Sequence, residues 1–552
     1  MRQGRRAKAP SDRASWVGPA LTVLERIARA DVSQPKGSPQ APMRTPLARS
    51  IDEGAASGAA NPDERRVVVI GTGPAGAAAA WTLHRAGIAV TVLEAGGERS
   101  AHGMTLRAPG VTLFRKRREL PPAEQGSAGP GPAAQWFSEL SSGGLSNHWT
   151  CAVPRFAPED FTEGARLGEQ YRWPVGYDDL ASDYPEMEKL LHIGGSGEDT
   201  INLPRGEVSD RVILADDWRG IVAQAARLGH GVTTTPLAYG AAWTYTRSGT
   251  PFNSFTRVLG GIPRSPRFEV LFGARALRLE WCAKRRRVDR VIYKDAVSGV
   301  ERSVAASAFV IAAGALHSTR LLLESTSPDF PEGLGNQHGV VGRYLHDHPL
   351  AKVRFSLSAH RSIHPPAYFT RAPYEAWDPL RGAAGVLWSS TLMRVRSLLG
   401  LTPDKSSDFG FTIFGSLPPL PSNGVALDTS RRDADGVAAL KIDLNFDEQT
   451  VPWLLRARDR IAEVLDADGL DPALEHWKIE VPGSSVHLAG TARMHAEPKW
   501  GVLDGFNRVH GVPEVLVVDA ASFTTGPEKN PTLTAMALAA RASRRLAADL
   551  RA

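Results

Sequence analysis

The chain has 552 residues, 42% of them hydrophobic and 22% charged, an ordinary globular composition with enough length for several domains' worth of core. Its net charge of +6 sits almost wholly in residues 1–66, which carry twelve Lys and Arg against seven Asp and Glu, so the rest offers no basic surface for nucleic acid. No apolar run approaches the ~18–20 residues that cross a bilayer, and two cysteines, Cys151 and Cys282, make neither a disulfide framework nor a zinc site, which points to a cytoplasmic protein.

Residues 1–62 are rich in Ala, Pro, Ser, Gly and Arg and show little periodicity, as a disordered tail or N-terminal extension does. Arg5-Arg6 could open a twin-arginine export signal, but Trp16 to Ala30 is broken by Pro19, Glu25, Arg26 and Arg29 where such a signal needs an unbroken apolar stretch. Export is therefore not expected. The same stretch also suits a short amphipathic helix docked on a partner subunit, which leaves an oligomer open.

Order is expected from Arg66. Val67-Val-Val-Ile70 has the β-branched, continuously apolar character of a buried parallel strand. Gly71-Thr-Gly-Pro-Ala-Gly76 follows, then an alanine-rich helix through Arg85 that ends at Gly87, then a second strand from Ile88 to Leu93 closing on Glu94. Residues 100–135, with Arg115-Lys-Arg-Arg118, read as a surface excursion. Phe268 to Phe272 and Ala308 to Ala313 extend the same sheet. Residues 350–480 alternate strand-like runs with proline-rich loops, as a second domain built on a sheet would. Val515 to Val518 returns to the buried-strand pattern, and Thr532 to Leu550 is a terminal helix. The expected division is a tail at 1–62, a discontinuous dinucleotide-binding domain at 63–345 and 485–552, and a substrate-binding domain at 346–484.

Gly71-x-Gly73-x-x-Gly76 between a strand and a helix allows a tight turn, close approach of a pyrophosphate and close helix–strand packing. The helix N-terminus then turns unpaired N–H groups and a positive dipole end toward the phosphates. Thr72, Pro74 and Ala75 belong to the same cradle. Glu94 ends the second strand 18 residues after Gly76, where an acid binds ribose hydroxyls. His346-Asp-His348 offers two imidazoles and one acid with no further ligand at metal spacing, so no metal is expected.

The C-terminal block carries more chemistry. His487-Leu-Ala-Gly-Thr-Ala-Arg-Met494 is followed by Arg508-Val-His-Gly-Val512, Val517-Val-Asp-Ala-Ala521 and Asn530-Pro-Thr-Leu-Thr-Ala-Met-Ala-Leu538. In order and spacing these motifs resemble the glucose–methanol–choline (GMC) oxidoreductases. Ala312-Ala-Gly-Ala-Leu-His-Ser-Thr-Arg-Leu-Leu322 and Gly342-Arg-Tyr-Leu-His-Asp-His-Pro349 look like further signatures of that family. The resemblance implies an α/β fold, a Rossmann-type FAD-binding domain of the GMC and p-hydroxybenzoate hydroxylase-like kind with an inserted α+β substrate domain built on a β-sheet. It also implies FAD as cofactor and oxidation of an alcohol beside the flavin ring. Carried over, His487 is the base that takes the hydroxyl proton as hydride leaves for flavin N5, and Asn530 orients the substrate oxygen. A neutral imidazole suits proton uptake near pH 7, and an amide can donate to a developing alkoxide without competing for the proton. Ala276, Ala313, Asp519, Pro531 and Thr532 fall at cofactor-binding positions of the family pattern.

Gly143-Gly144-Leu-Ser-Asn147-His148-Trp-Thr150-Cys-Ala152-Val-Pro-Arg155 resembles the flavin-attachment segment of pyranose oxidases and their bacterial glycoside 3-oxidase relatives. There a histidine before Trp-Thr is bonded to the flavin and the threonine lies near N5; these would be His148 and Thr150. Gly144, Asn147 and Ala152 complete the segment, although Asn147 stands where the fungal enzymes carry threonine. Covalent FAD at His148 and noncovalent FAD packed against it both stay open. Their substrate-recognition loop has no counterpart in residues 350–430. The expected reaction is oxidation of a secondary ring hydroxyl, at C2 or C3, of a pyranose sugar or glycoside, with oxygen or another electron acceptor. A sugar-bearing natural product such as an aminoglycoside or nucleoside is the alternative substrate, and a lyase of the same family the alternative chemistry.

Overall fold

A computed structural model describes residues 65–98, 138–147, 149–238, 253–355, 366–371, 381–389, 409–466 and 476–552. The expectations placed on residues 1–62, on the 100–135 excursion and on His148 lie outside the described residues.

Strand β1 (Arg66–Ile70) leads through the glycine turn into helix α1 (Pro74–Arg85), and strand β2 (Ala89–Glu94) returns beside it in parallel. Alanine lets the helix lie close on the sheet, and Ala77 to Ala80 are fully buried. The packing is tightest at Gly76, where a Cβ would lie 2.2 Å from Gly71 O. The helix stops in a Schellman arrangement. Gly87, at φ +76°, donates to His84 O, and Ile88 N–H donates to Leu83 O at 3.0 Å.

Beyond β2 lies β3 (Phe268–Phe272). On the other side of β1 lie β4 (Ala308–Ile311), which feeds helix α2 (Ala315–Glu324), and then β5 (Val512–Val517). These five strands are mutually parallel, and Arg508–Val509 adds an antiparallel edge. Helix α3 (Thr532–Arg551) packs on α1, so the first and last described segments build one layer. This is the Rossmann-type α/β architecture the motifs predict, and the central strands are buried on both faces as a parallel sheet requires.

The second six-stranded sheet takes Leu350–Phe355, Ala367–Arg371, Ala383–Ser389, Phe409–Gly415 and His476–Ile479, all antiparallel. Its last edge is His230–Thr234, a strand that precedes position 346 in sequence and pairs with Ala367–Arg371. Trp218, Phe369, Phe411, Ile413 and Leu454 form its core against helix Thr450–Asp466. A separate hairpin, Gly424–Arg432 with Ala438–Asp443, packs on α2. No helix among the described residues is long and apolar enough to cross a membrane.

Candidate active site

A cavity of about 580 Å³ begins at the turn after β1 and extends to side chains of the second sheet. At its first end the backbone geometry follows from the glycines. Gly71 has φ +103°, and a Cβ there would lie 2.5 Å from Ala312 O. Gly73, the residue before α1, has nothing within 4 Å of its Cβ position and lines the cavity together with Thr72, Pro74 and Ala75. An unobstructed backbone at a helix N-terminus is what a pyrophosphate needs. Gly76 is not in the cavity wall; its work is the close packing of α1.

Glu94 lines the cavity with only 5% of its surface exposed. It accepts from Thr72 Oγ1 and Thr72 N, and from Gly96 N at 2.9 Å. Burial pushes its carboxyl up against the opposing effect of these bonds. Thr72 Oγ1 in turn accepts from Gly143 N at 2.8 Å, which docks the 141–147 turn on the glycine loop. Gly144 joins the wall; Asn147 lies behind it. The Asn147 amide donates to Gly144 O at 2.8 Å and to Ser142 O at 3.1 Å, and its oxygen accepts from Asn253. Thr150 and Ala152 line the cavity on either side of Cys151, which holds φ +66° and whose carbonyl accepts from Ala238 N.

Ala276 and Ala313 contribute small side chains to the wall, and Asp519 reaches it from the loop after β5. The Asp519 carboxylate is committed to two backbone amides and a hydroxyl: it accepts from Gly314 N at 2.9 Å, from Ala521 N at 2.9 Å and from Ser318 Oγ. It thereby ties the β4–α2 turn to the 519–522 segment, and burial raises its pKa.

At the other end His487 and Asn530 come together, with Nε2 and Nδ2 separated by 3.2 Å. Pro531 and Thr532 start α3 directly beside them and line the same cavity. His487 is carried on a tense turn. Val486, a β-branched residue, has φ +63°, a conformation that costs about 1–3 kcal/mol and persists only where the surroundings impose it. Asp347 imposes it: its Oδ1 accepts the His487 N–H at 2.9 Å and also the Ser485 hydroxyl. The His487 ring lies against Phe414 at 5.7 Å between centroids and meets the edge of His348 at 4.8 Å and 74°.

Sequence reading places Asp347 and His348 in a family signature and assigns them no role at the site; the fold brings both against His487. Among the described residues no group of three or more His, Cys, Asp or Glu has a metal-binding arrangement. Also unforeseen are Asn253 and Ser254, fully buried, which pin the 141–147 turn from more than a hundred residues away. Next to Asn530, Lys529 is fully buried between Asp160 and Glu528, each 2.8 Å from its ammonium. From the second sheet Lys352, Trp388, Thr412 and Phe414 complete the wall, with Trp388 Nε1 donating to Thr412 Oγ1 at 3.3 Å. Nothing in their spacing marks them.

A family model described as FAD binding domain matches residues 66–395, more than half of the chain, and defines the fold as that of an FAD-binding protein. A second, described as GMC oxidoreductase, matches residues 419–539 and covers His487 and Asn530. The chain belongs to the GMC oxidoreductases, FAD enzymes that act on CH–OH groups. It is 29% identical to paromamine 6'-oxidase of Streptomyces fradiae, over 88% of this chain and 91% of that one. To a C-glycoside 3-oxidase of Arthrobacter globiformis it is 25% identical, with 90% and 97% covered. Pyridoxine 4-oxidase from Mesorbium loti shares the fold with a TM-score of 0.58 at 20% identity, over 87% of this chain and 99% of that one. A fungal aryl-alcohol oxidase does so at 0.59 and 16%, over 89% and 100%.

Proposed function

We propose that this oxidoreductase acts on a hydroxyl of a sugar or glycoside, converting a secondary ring hydroxyl at C2 or C3 to a ketone. The observation that carries the reading is the pairing of His487 Nε2 with Asn530 Nδ2 at 3.2 Å, on the wall of the cavity that starts at the glycine turn. FAD, when bound, supplies the hydride acceptor. An amide nitrogen only donates, so its partner Nε2 carries a lone pair, and this is the form of His487 that accepts the hydroxyl proton. Asn530 then donates to the oxygen on which charge develops. Trp388 and Phe414 offer apolar faces and Thr412 and Lys352 polar groups, the mixture that a sugar ring recognises.

The C-glycoside 3-oxidase likeness supports a ring hydroxyl. The second reading, a sugar-bearing natural product, is favoured by the likeness to paromamine 6'-oxidase and to a 6'''-hydroxyparomomycin C oxidase. Oxygen or another acceptor then takes the electrons. A bond between His148 and the flavin belongs to the same proposal: acid precipitation leaves the yellow colour in the pellet if the bond exists and frees it if not. The substrate test is anaerobic addition of free sugars, glycosides and aminoglycosides, with flavin absorbance as the readout. At least one sugar-bearing compound is expected to bleach it. Bleaching by none of them would remove the proposal.

A further inference from the structure

A second, much smaller cavity of about 10 Å³ lies behind the candidate base, with His346, Asp347, His348 and His487 in its wall together with Phe523 and Gly526. In three of these residues a polar atom, His346 Nε2, Asp347 Oδ2 and His348 Nδ1, is buried with no hydrogen-bond partner among the described residues. The residues themselves are 3%, 2% and 7% exposed. A buried polar atom left unpaired is destabilising, so something of matching polarity belongs among these three.

The roles of the three atoms follow from their surroundings. His346 Nδ1 lies 2.9 Å from Tyr344 O, and a carbonyl only accepts, so Nδ1 bears the hydrogen and Nε2 the lone pair. Burial, which holds this imidazole down to about 4, keeps it neutral. Asp347 Oδ2 is a carboxylate acceptor. Two acceptors cannot bond each other, and neither can satisfy the other through His348 alone. One molecule with two donor hydrogens and a lone pair satisfies all three: it donates to His346 Nε2 and Asp347 Oδ2 and accepts from His348 Nδ1–H. A buried water typically makes about three such bonds and needs about 10–15 Å³.

We propose that this pocket binds one internal water molecule, which fixes His348 as its Nδ1–H tautomer, links it to Asp347, and so positions His487. Asp347 holds the His487 backbone N–H and the strained turn at Val486, while His348 abuts the His487 ring; the water joins the group that sets the backbone to the group that sets the ring. His346, Asp347 and His348 are then positioning residues. The consequence for turnover rests on the reading of His487 as base; the water site does not.

Gly526→Ala tests the proposal. A Cβ at Gly526 would lie 3.0 Å from His346 Nε2 and 2.8 Å from its Cδ2, on the wall of the small cavity, and would take the water's place without deleting a polar group. The crystal structure of the FAD-loaded protein should show one ordered water within hydrogen-bond distance of all three atoms, and that of Gly526→Ala should lack it. The variant should hold its FAD, reduce it about tenfold more slowly at saturating substrate, and change half-saturation less than twofold, the pattern of a misplaced catalytic group. If Gly526→Ala does not fold, His346→Leu removes one acceptor and should give the same loss of rate. A wild-type pocket without that water, or a variant that loses the water and keeps its rate, overturns the proposal. Reduction that survives His487→Ala would instead defeat the base assignment while leaving the water site readable from the density.

Discussion

Replacing Lys529 by methionine should be among the most damaging single changes available outside the reacting groups. The ammonium is fully buried, 2.8 Å from Asp160 Oδ2 and 2.8 Å from Glu528 Oε1, and both acids are 1% exposed. Burial alone would lower the lysine's pKa, but attraction to Asp160 and Glu528 outweighs it and raises the value, so the lysine is charged. Burial pushes Asp160 upward even with that cation beside it. Methionine fills most of the volume but leaves two carboxylates facing each other out of reach of water. Asp160 keeps the Ala157 N–H at 2.6 Å and Glu528 the Asn202 amide at 2.7 Å, too little to replace a cation. Breaking a buried pair in this way costs about 3–5 kcal/mol, whereas an apolar replacement of the whole group is often near neutral. Lys529→Met should therefore be destabilised by that amount at pH 8 and by distinctly less at pH 5, where one carboxyl takes up a proton. Adding Asp160→Asn and Glu528→Gln should recover more than half of the loss. Unfolding by urea, followed through tryptophan fluorescence, measures all of this. A single variant within 1 kcal/mol of wild type, or a triple variant less stable than the single, would refute the reasoning.

Other changes separate the roles of neighbouring groups. His487→Gln should retain FAD yet slow flavin reduction by about 10²–10⁴-fold, read by anaerobic stopped flow; an unchanged rate would end its assignment as base. Gly76→Ala puts a methyl 2.2 Å from Gly71 O, an overpacking that should cost about 1–3 kcal/mol and release FAD at lower denaturant than in wild type. Asp347→Asn carries a pH signature. Burial holds the Asp347 carboxyl up to about 6 against an ordinary 3.8, so between those values the folded chain keeps a proton the unfolded chain has released. Wild type should lose up to about 3 kcal/mol relative to Asp347→Asn as the pH rises from 4 to 7, and parallel stability curves for the two proteins would exclude the shift.

The cofactor half of the fold is legible because it is written in backbone constraints. Gly71 must hold a positive φ, Gly76 must lack a Cβ, and β1 must be apolar on both faces; each requirement leaves only one or a few residue types. The second sheet is legible as a sheet but not in its membership, since His230–Thr234 joins it from outside the segment whose pattern announces it. Pairing of that kind depends on where a loop returns, which periodicity does not carry. The rear of the candidate site is hidden for a related reason. Asp347 and His348 look like loop residues, and Asp160, 369 positions before Lys529, has no local sign of being its counter-ion. Asn147 shows what a motif leaves out: its amide donates to Gly144 O and Ser142 O and braces the turn, a task its place in the motif does not announce.

The two ends of the cavity thus differ in what holds them. At the glycine turn the backbone itself does the work, and side chains such as Thr72 and Ser254 only lock it. At His487 the backbone is in a conformation that valine resists, and it is side chains from three distant segments that keep it there: Asp347 from below the turn, His348 and Phe414 against the ring, and Asn530 in front of it. A turn with a cost of its own and so many supports has few alternative positions. The proton transfer proposed for His487 demands that restriction, because a base displaced by an ångström loses most of its advantage. It follows that the chemical end should tolerate fewer substitutions around the reacting groups than its ordinary-looking sequence implies, and that changes of substrate are better sought on the second-sheet wall at Trp388, Thr412 and Lys352, which bear on the cavity without bearing on that turn.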